Sequence, residues 1–191
     1  MLTQGIYRCE AVAEETPTVH KPCRRCKRTT AFRCSEKFRM NAQQKHLDVW
    51  LIYKCTHCDS TWNHNILSRV HSTRINRELQ RQFEVNDRET AWRYAFEVEK
   101  LRKVTSKVET ALPYHWATER IGDQAEGLTI HLSSRYPFDL RVDKALRELL
   151  DLSRSKLEQM AEDGLLHFPS PQVTLKTKLK AEIMSITLPS L

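Results

Sequence analysis

CRRCKRTTAFRCSEKFRMNAQQKHLDVWLIYKCTHC, residues 23–58, opens and closes on the same Cys-x2-Cys unit, with 28 residues between the two. A Cys-x2-Cys turn aims two sulfurs at one point, and two such turns supply the four thiolates of a closed tetrahedral site. The intervening segment must then bring Cys23 and Cys26 back to Cys55 and Cys58. It reads as a β-hairpin. From Phe32 to Met40 the chain alternates: Phe32, Cys34, Phe38 and Met40 share one face, with Glu36 the exception, and Arg33, Ser35, Lys37 and Arg39 share the other. The return run HLDVWLIYKC, residues 46–55, is rich in β-branched and aromatic residues and is apolar on both faces at Val49–Ile52, so it calls for a covering layer. The turn lies in NAQQK, and Ser60–Leu67 reads as a third short strand. Two knuckles joined by a hairpin form a zinc-ribbon pattern, with one structural Zn2+ per chain on Cys23, Cys26, Cys55 and Cys58.

A redox dithiol is the alternative that the residues leave open, because the cations around Cys23 and Cys26 favour a thiolate. Against it, the first pair precedes a strand and a second pair answers it, and a zinc site needs deprotonated thiols as well. Four thiolates leave no open position for water, so the metal is expected to be structural and not hydrolytic. The N-terminus lacks a basic segment followed by an apolar run, which predicts a cytoplasmic chain whose six cysteines do not form structural disulfides. No run of about 18 uncharged apolar residues is present, so no membrane span is expected. Cys34, on the apolar face of the hairpin, reads as a buried small hydrophobe, and Cys9 as a bystander. His20, His57 and His64 read as surface residues or supports of the ligands.

The charge is uneven. Residues 20–83 carry fourteen Lys and Arg against four acids, a net of +10 in a chain whose total is +7. That surplus points to an anionic partner, nucleic acid before membrane surface, with a merely solvated basic face as the alternative. The cations nearest the cysteines and on the outer face of the hairpin, Arg24, Arg25, Arg33, Lys37 and Arg39, are the candidates for contact with nucleic acid.

After the ribbon, Asn76 is placed to cap a helix through Phe83, with Ile75, Leu79 and Phe83 as its stripe. Asn86, with Glu89 three residues on, starts a second helix to about Val104 that buries Ala91, Ala95, Val98 and Leu101 beside Trp92 and Phe96. Residues 106–127 look irregular, a connection marked by Pro113 and the Gly122–Gly127 region. In the last third, Val142, Leu146 and Leu149 define one helix stripe. Ser153 is a good N-cap for the next helix and Gly164 a good residue to end it. The strand-like run LLHF follows, and later VTLKTKLKAEIMSITL.

Arg141-Val142-Asp143-Lys144-Ala145-Leu146, then Leu152-Ser153-Arg154-Ser155-Lys156, then Glu162-Asp163-Gly164-Leu165-Leu166 resemble the RNA-binding domain named after ribosomal protein S-four. The tail Leu175–Leu188 resembles the closing strands of that domain, and the likeness covers residues 139–189. It implies a helix pair that presents Arg141, Lys144, Arg154 and Lys156 to structured RNA, with Ser153 as the cap that orients the second helix. FRCSEKFRMNAQQKHLDVWLIYKCTHCDSTWN, residues 32–63, resembles a bacterial family catalogued only as a domain of unknown function, which implies no activity.

The expected architecture is α+β: an N-terminal arm over 1–19, a zinc ribbon over 20–70, a helical region and connection over 71–127, and an RNA-binding-like domain over 128–191. No Ser-His-Asp order, phosphate-binding glycine loop or paired-carboxylate motif is present, so the expectation is a non-catalytic, zinc-binding protein that binds structured or ribosome-associated RNA. A DNA-binding or transcription-associated ribbon and a protein-interaction adaptor are the alternatives.

Overall fold

The computed structural model describes residues 2–124 and 126–189. It is a mixed α+β structure, mostly sheet, with five α-helices. Cα packing divides it into two compact units, residues 16–110 and residues 1–15 with 111–191.

The unit formed by residues 16–110 is built on a five-stranded antiparallel sheet in the order β5-β4-β3-β2-β6. Its strands are β2 (Thr18–Cys23), β3 (Arg28–Gln43), β4 (His46–Cys55), β5 (Thr61–His71) and β6 (Lys107–Glu109). The hairpin read from the sequence is β3–β4, paired from Phe32↔Cys55 to Gln43↔His46. The register jumps between Cys34↔Tyr53 and Lys37↔Ile52, which leaves Ser35 and Glu36 as two extra residues in β3. A one-residue bulge would have reversed the faces beyond it. Two residues preserve the parity, so Phe32, Cys34, Phe38 and Met40 stay on one face throughout.

Glu36, the exception to the apolar pattern, is thereby explained. It takes a left-handed φ of 58°, and its carboxylate accepts from Trp92 Nε1 and from Arg88 Nε at 3.2 Å.

Short helices cover the face that bears Phe38 and Leu51. The first, α1 (Arg77–Glu84), starts at Asn76 as expected, with the Glu78 N–H donating to Asn76 Oδ1 at 2.8 Å. The expected second helix is broken in two, α2 (Arg88–Ala95) and α3 (Val98–Arg102). Its cap is Asp87 and not Asn86: the Asp87 carboxylate accepts from the Thr90 N–H at 2.8 Å. Asn86 has φ 55°, and its Oδ1 accepts from the Phe38 N–H at 2.7 Å, tying the helices to β3. Asn tolerates the left-handed region better than Ala does. Asn86→Ala is therefore expected to lose both the bond and the tolerated conformation, costing about 1–3 kcal/mol in urea unfolding. Asn86→Gly should recover the part that is conformational.

Phe83, Ala91, Ala95 and Leu101 join Val19, Phe32, Phe38, Val49, Leu51 and Tyr53 in one buried cluster. The strand β4 is buried on that face alone. Its burial alternates residue by residue, and Trp50 and Ile52 lie half-buried on the opposite face. The covering layer expected on both faces of β4 is present on one.

The second unit is a four-stranded sheet in the order β7-β1-β8-β9, with β1 (Gly5–Ala13), β7 (Tyr114–Gly122), β8 (Leu128–Ser134) and β9 (Met184–Leu188). Within the stretch expected to be an N-terminal arm, residues 1–19, lie β1 and the start of β2. The strand β1 lies inside the sheet, antiparallel to β7 and parallel to β8, and Cys9 is fully buried on it. Nor is 106–127 irregular, since it contains β6 and β7. Between β8 and β9 the chain forms two helices, α4 (Val142–Leu150) and α5 (Arg154–Glu162), packed against each other. Ser153 caps α5, its Oγ accepting from the Lys156 N–H at 3.2 Å, and Gly164 takes φ 70° just past the end. The run LLHF makes only an isolated bridge, His167↔Thr187, and of the tail only Met184–Leu188 is a strand, paired with β8. The small closing sheet expected there is thus part of a larger one. No helix among the described residues is long and apolar enough to cross a membrane.

Candidate metal centre and basic surface

The two knuckles are built alike. In each, an N–H four residues on closes the turn onto the carbonyl of the first cysteine: Lys27 onto Cys23 at 2.9 Å and Asp59 onto Cys55 at 3.0 Å. The closing residues both take left-handed backbones, φ 56° at Lys27 and 60° at Asp59. This conformation costs a non-glycine residue roughly 1–2 kcal/mol. The second knuckle is anchored to β3, its Thr56 N–H and hydroxyl both donating to the Ala31 carbonyl, at 3.0 and 3.1 Å.

Because β2 and β4 flank β3, their ends deliver the two turns to one place. The Sγ atoms of Cys23, Cys26, Cys55 and Cys58 all lie within 4.8 Å of one another. Cys23 and Cys58 are 3.6 Å apart, and Cys26 and Cys55 are 3.9 Å apart. A tetrahedron with metal–sulfur bonds of about 2.3 Å has edges of about 3.8 Å. The donor set thus fits one metal ion with all four positions taken by protein sulfur.

The surroundings suit thiolates. The Ser60 hydroxyl lies 3.2 Å from Cys23 Sγ and 3.1 Å from Cys58 Sγ, and Thr30 Oγ1 lies 3.2 Å from Cys55 Sγ. The Ser60 hydroxyl, with a backbone N–H at Cys26, pulls the Cys23 thiol down to about 5. Burial pushes Cys55 upward, but the Thr30 hydroxyl and the backbone at His57 and Cys58 outweigh it and hold the thiol below its usual range. Burial and the neighbouring sulfurs push Cys26 up to about 12. Metal binding needs the thiols deprotonated, and at Cys26 a bound cation would supply the stabilisation that its surroundings do not.

The other candidate ligands stand apart. Cys34 lies outside the cluster, accepts from the Glu36 N–H at 3.4 Å and is pushed up to about 12 by burial. His57 is exposed, and His20 Nε2 sits 3.0 Å from Glu109 Oε1. His64 is a core residue beside the rings of Tyr53 and Trp62, its pKa lowered by burial.

The candidate nucleic-acid residues fall into three groups. Arg33, Lys37 and Arg39 are exposed on the face of β3 opposite the core, and none has an ion pair among the described residues. Trp50 pairs directly with Arg39, and Ile52 with Lys37, so a half-exposed indole lies among these cations. The sequence reading does not place Trp50 beside this row of cations. Its signal was present in the parity of HLDVWLIYKC, which sets Trp50 and Ile52 against Val49, Leu51 and Tyr53. Arg24 and Arg25 lie on the first knuckle, with Arg25 Nη1 donating to the Cys58 carbonyl at 3.3 Å. In the other unit, Arg141 is held by Asp143, Arg154 Nε by Glu158 at 2.9 Å, and Lys144 lies 3.8 Å from Glu148. Lys156 is exposed and Ser153 is occupied as the cap of α5.

A family described as protein of unknown function (DUF1062) matches residues 40–171. The chain belongs to that family. The matched region takes in Cys55 and Cys58 together with α1 to α5, and starts beyond Cys23 and Cys26. Of the stretch 32–63 that carries the likeness in the sequence, the part from Met40 onward lies inside the family's match. No curated protein and no solved structure matches the chain.

Proposed function

We propose that the chain is a non-catalytic RNA-binding protein whose binding face is fixed by a structural zinc ion, the ribbon arrangement of β2 to β5 serving as the scaffold. The observation that carries this reading is the outer row of β3: three exposed cations without carboxylate partners among the described residues, set beside a half-exposed tryptophan. Residues 16–110 carry twenty Lys and Arg against ten Asp and Glu, while the remainder of the chain is net −3. Thiolate ligands and full protein coordination favour zinc in a structural role.

On such a face the cations neutralise phosphates, and an unpaired base stacks on Trp50. RNA is favoured over duplex DNA because a flat strand face with an upstanding indole suits splayed bases better than a paired groove. The helix pair α4–α5, in the reading that likens it to the S-four domain, offers Lys156 as an exposed cation with no ion pair among the described residues. Arg141, Lys144 and Arg154 would have to exchange a neighbouring carboxylate for a phosphate.

Filter binding of cellular RNA at two salt concentrations tests the proposal. If six to ten phosphates are contacted, affinity should fall by about 10³–10⁵ between 50 and 200 mM salt. Absent or salt-independent binding rejects it, and a stronger response to duplex DNA in competition selects the transcription-associated alternative.

A further inference from the structure

Between the two knuckles lies a concavity of about 660 Å³, lined by Lys21, Arg24, Arg25, Phe32, Asp59 and Trp62 among others. It is distinct from the β3 row. Lys21 pairs with Thr30, two residues from Phe32, so its side chain shares the core face with Phe32, whereas Arg33 lies on the opposite one. The Lys21 ammonium sits 4.4 Å from the centroid of the Trp62 ring and 5.8 Å from that of Phe32, and neither Lys21 nor Arg24 has a carboxylate partner among the described residues. The one acid in this lining, Asp59, is engaged with Lys54 at 3.0 Å. Arg25 is fixed at the rim by its bond to the Cys58 carbonyl.

Four thiolates on a divalent ion leave a charge of −2, which offsets part of this field. Yet five cations stand between Lys21 and Arg28 with no acid among them. Three of the five, Lys21, Arg24 and Arg25, line the cavity. The volume is far more than the roughly 30 Å³ share of one water and lies in the range of small-molecule sites.

We propose that this cavity binds the phosphomonoester group of a nucleotide, supplied either by the end of an RNA strand or by a free mononucleotide. A phosphomonoester carries close to two negative charges at neutral pH and three terminal oxygens, which matches two unpaired cations and a pinned guanidinium better than a carboxylate does. Phe32 and Trp62 hold Lys21 over an apolar floor, so its ammonium reaches the site with little freedom left to lose. The site stands without the RNA reading of the β3 row and adds to it.

The test uses the full, metal-loaded chain and two pairs of probes: a short RNA with and without a terminal phosphate at either end, and AMP against adenosine. The phosphorylated member of at least one pair is expected to bind about tenfold tighter or better. Arg24→Gln, an exposed substitution that should keep a full equivalent of metal, is expected to remove that advantage, as is Lys21→Gln. An advantage confined to RNA identifies a strand end as the ligand, and one shared by AMP identifies a free nucleotide. AMP binding with no RNA binding supports the cavity while rejecting the β3 reading. Equal binding within both pairs, or an advantage that survives both substitutions at full metal content, overturns the proposal.

Discussion

Cys55→Ser is expected to release the metal and to melt the knuckle end of the five-stranded sheet. Structural zinc contributes about 10–16 kcal/mol to small finger peptides, which matches or exceeds the whole stability of a typical domain. Even a net loss of about 4 kcal/mol would lower the melting temperature of a unit this size by roughly 16–32 °C. Hydrogen exchange locates the damage. Protection should be lost in β2, in the Arg28–Phe32 end of β3 and in the Cys55–Ser60 turn, all of which converge on the four sulfurs. The strand β8 and the helix α4 belong to the other compact unit and should keep their protection. Cys34→Ser provides the contrast, because Cys34 lies outside the cluster and its replacement should leave metal content unchanged. A Cys55→Ser protein that retains stoichiometric metal and its melting temperature would refute the assignment of the ligands.

The second large effect is expected from reversing charge on β3. Lys37→Glu combined with Arg39→Glu leaves the core face untouched, since both side chains are exposed and alternate with Phe38 and Met40. Stability should change by less than about 0.5 kcal/mol. RNA affinity should fall about a hundredfold or more, and the slope of log affinity against log salt should become shallower by roughly one to two, as expected when two phosphate contacts are lost. Arg154→Ala should have a smaller effect, because its guanidinium is already paired with Glu158. Undiminished affinity in the double variant, with the fold intact, would move the binding surface away from β3.

The parts of the fold legible in the sequence are those where a residue's neighbours in the chain are also its neighbours in space. The paired Cys-x2-Cys turns, the β3–β4 hairpin and the caps at Asn76 and Ser153 are local in this sense. The alternation in β3 was readable across its irregularity only because Ser35 and Glu36 are inserted as a pair.

Failures came where the deciding partner is remote. The parallel neighbour of β1, β8, begins more than a hundred residues later, and the buried side chains that would have marked β1 include the small Cys9, Ala11 and Ala13. The strand β7 is at a sheet edge and is exposed along most of its length, so its residues carry little apolar period to detect. Asn86 resembled a cap by spacing, but its side chain serves Phe38, 48 residues away, and Asp87 does the capping. At the candidate site the four clustered cysteines were legible because the spacing of paired Cys-x2-Cys turns suits a tetrahedral centre. The proposed binding face was half-legible: the cations were visible as charge, whereas the exposure of Trp50 depends on only one face of β4 being covered.

The central claim is that four sulfurs from two distant turns share one ion. It is tested most directly by measuring metal content and thiol reactivity together on freshly purified, reduced protein. The account predicts one zinc per chain, with Cys23, Cys26, Cys55 and Cys58 unreactive toward an alkylating reagent until a chelator removes the metal, and reactive afterwards. Metal-free protein whose four cysteines alkylate at once, while the sheet keeps its melting temperature, would contradict it.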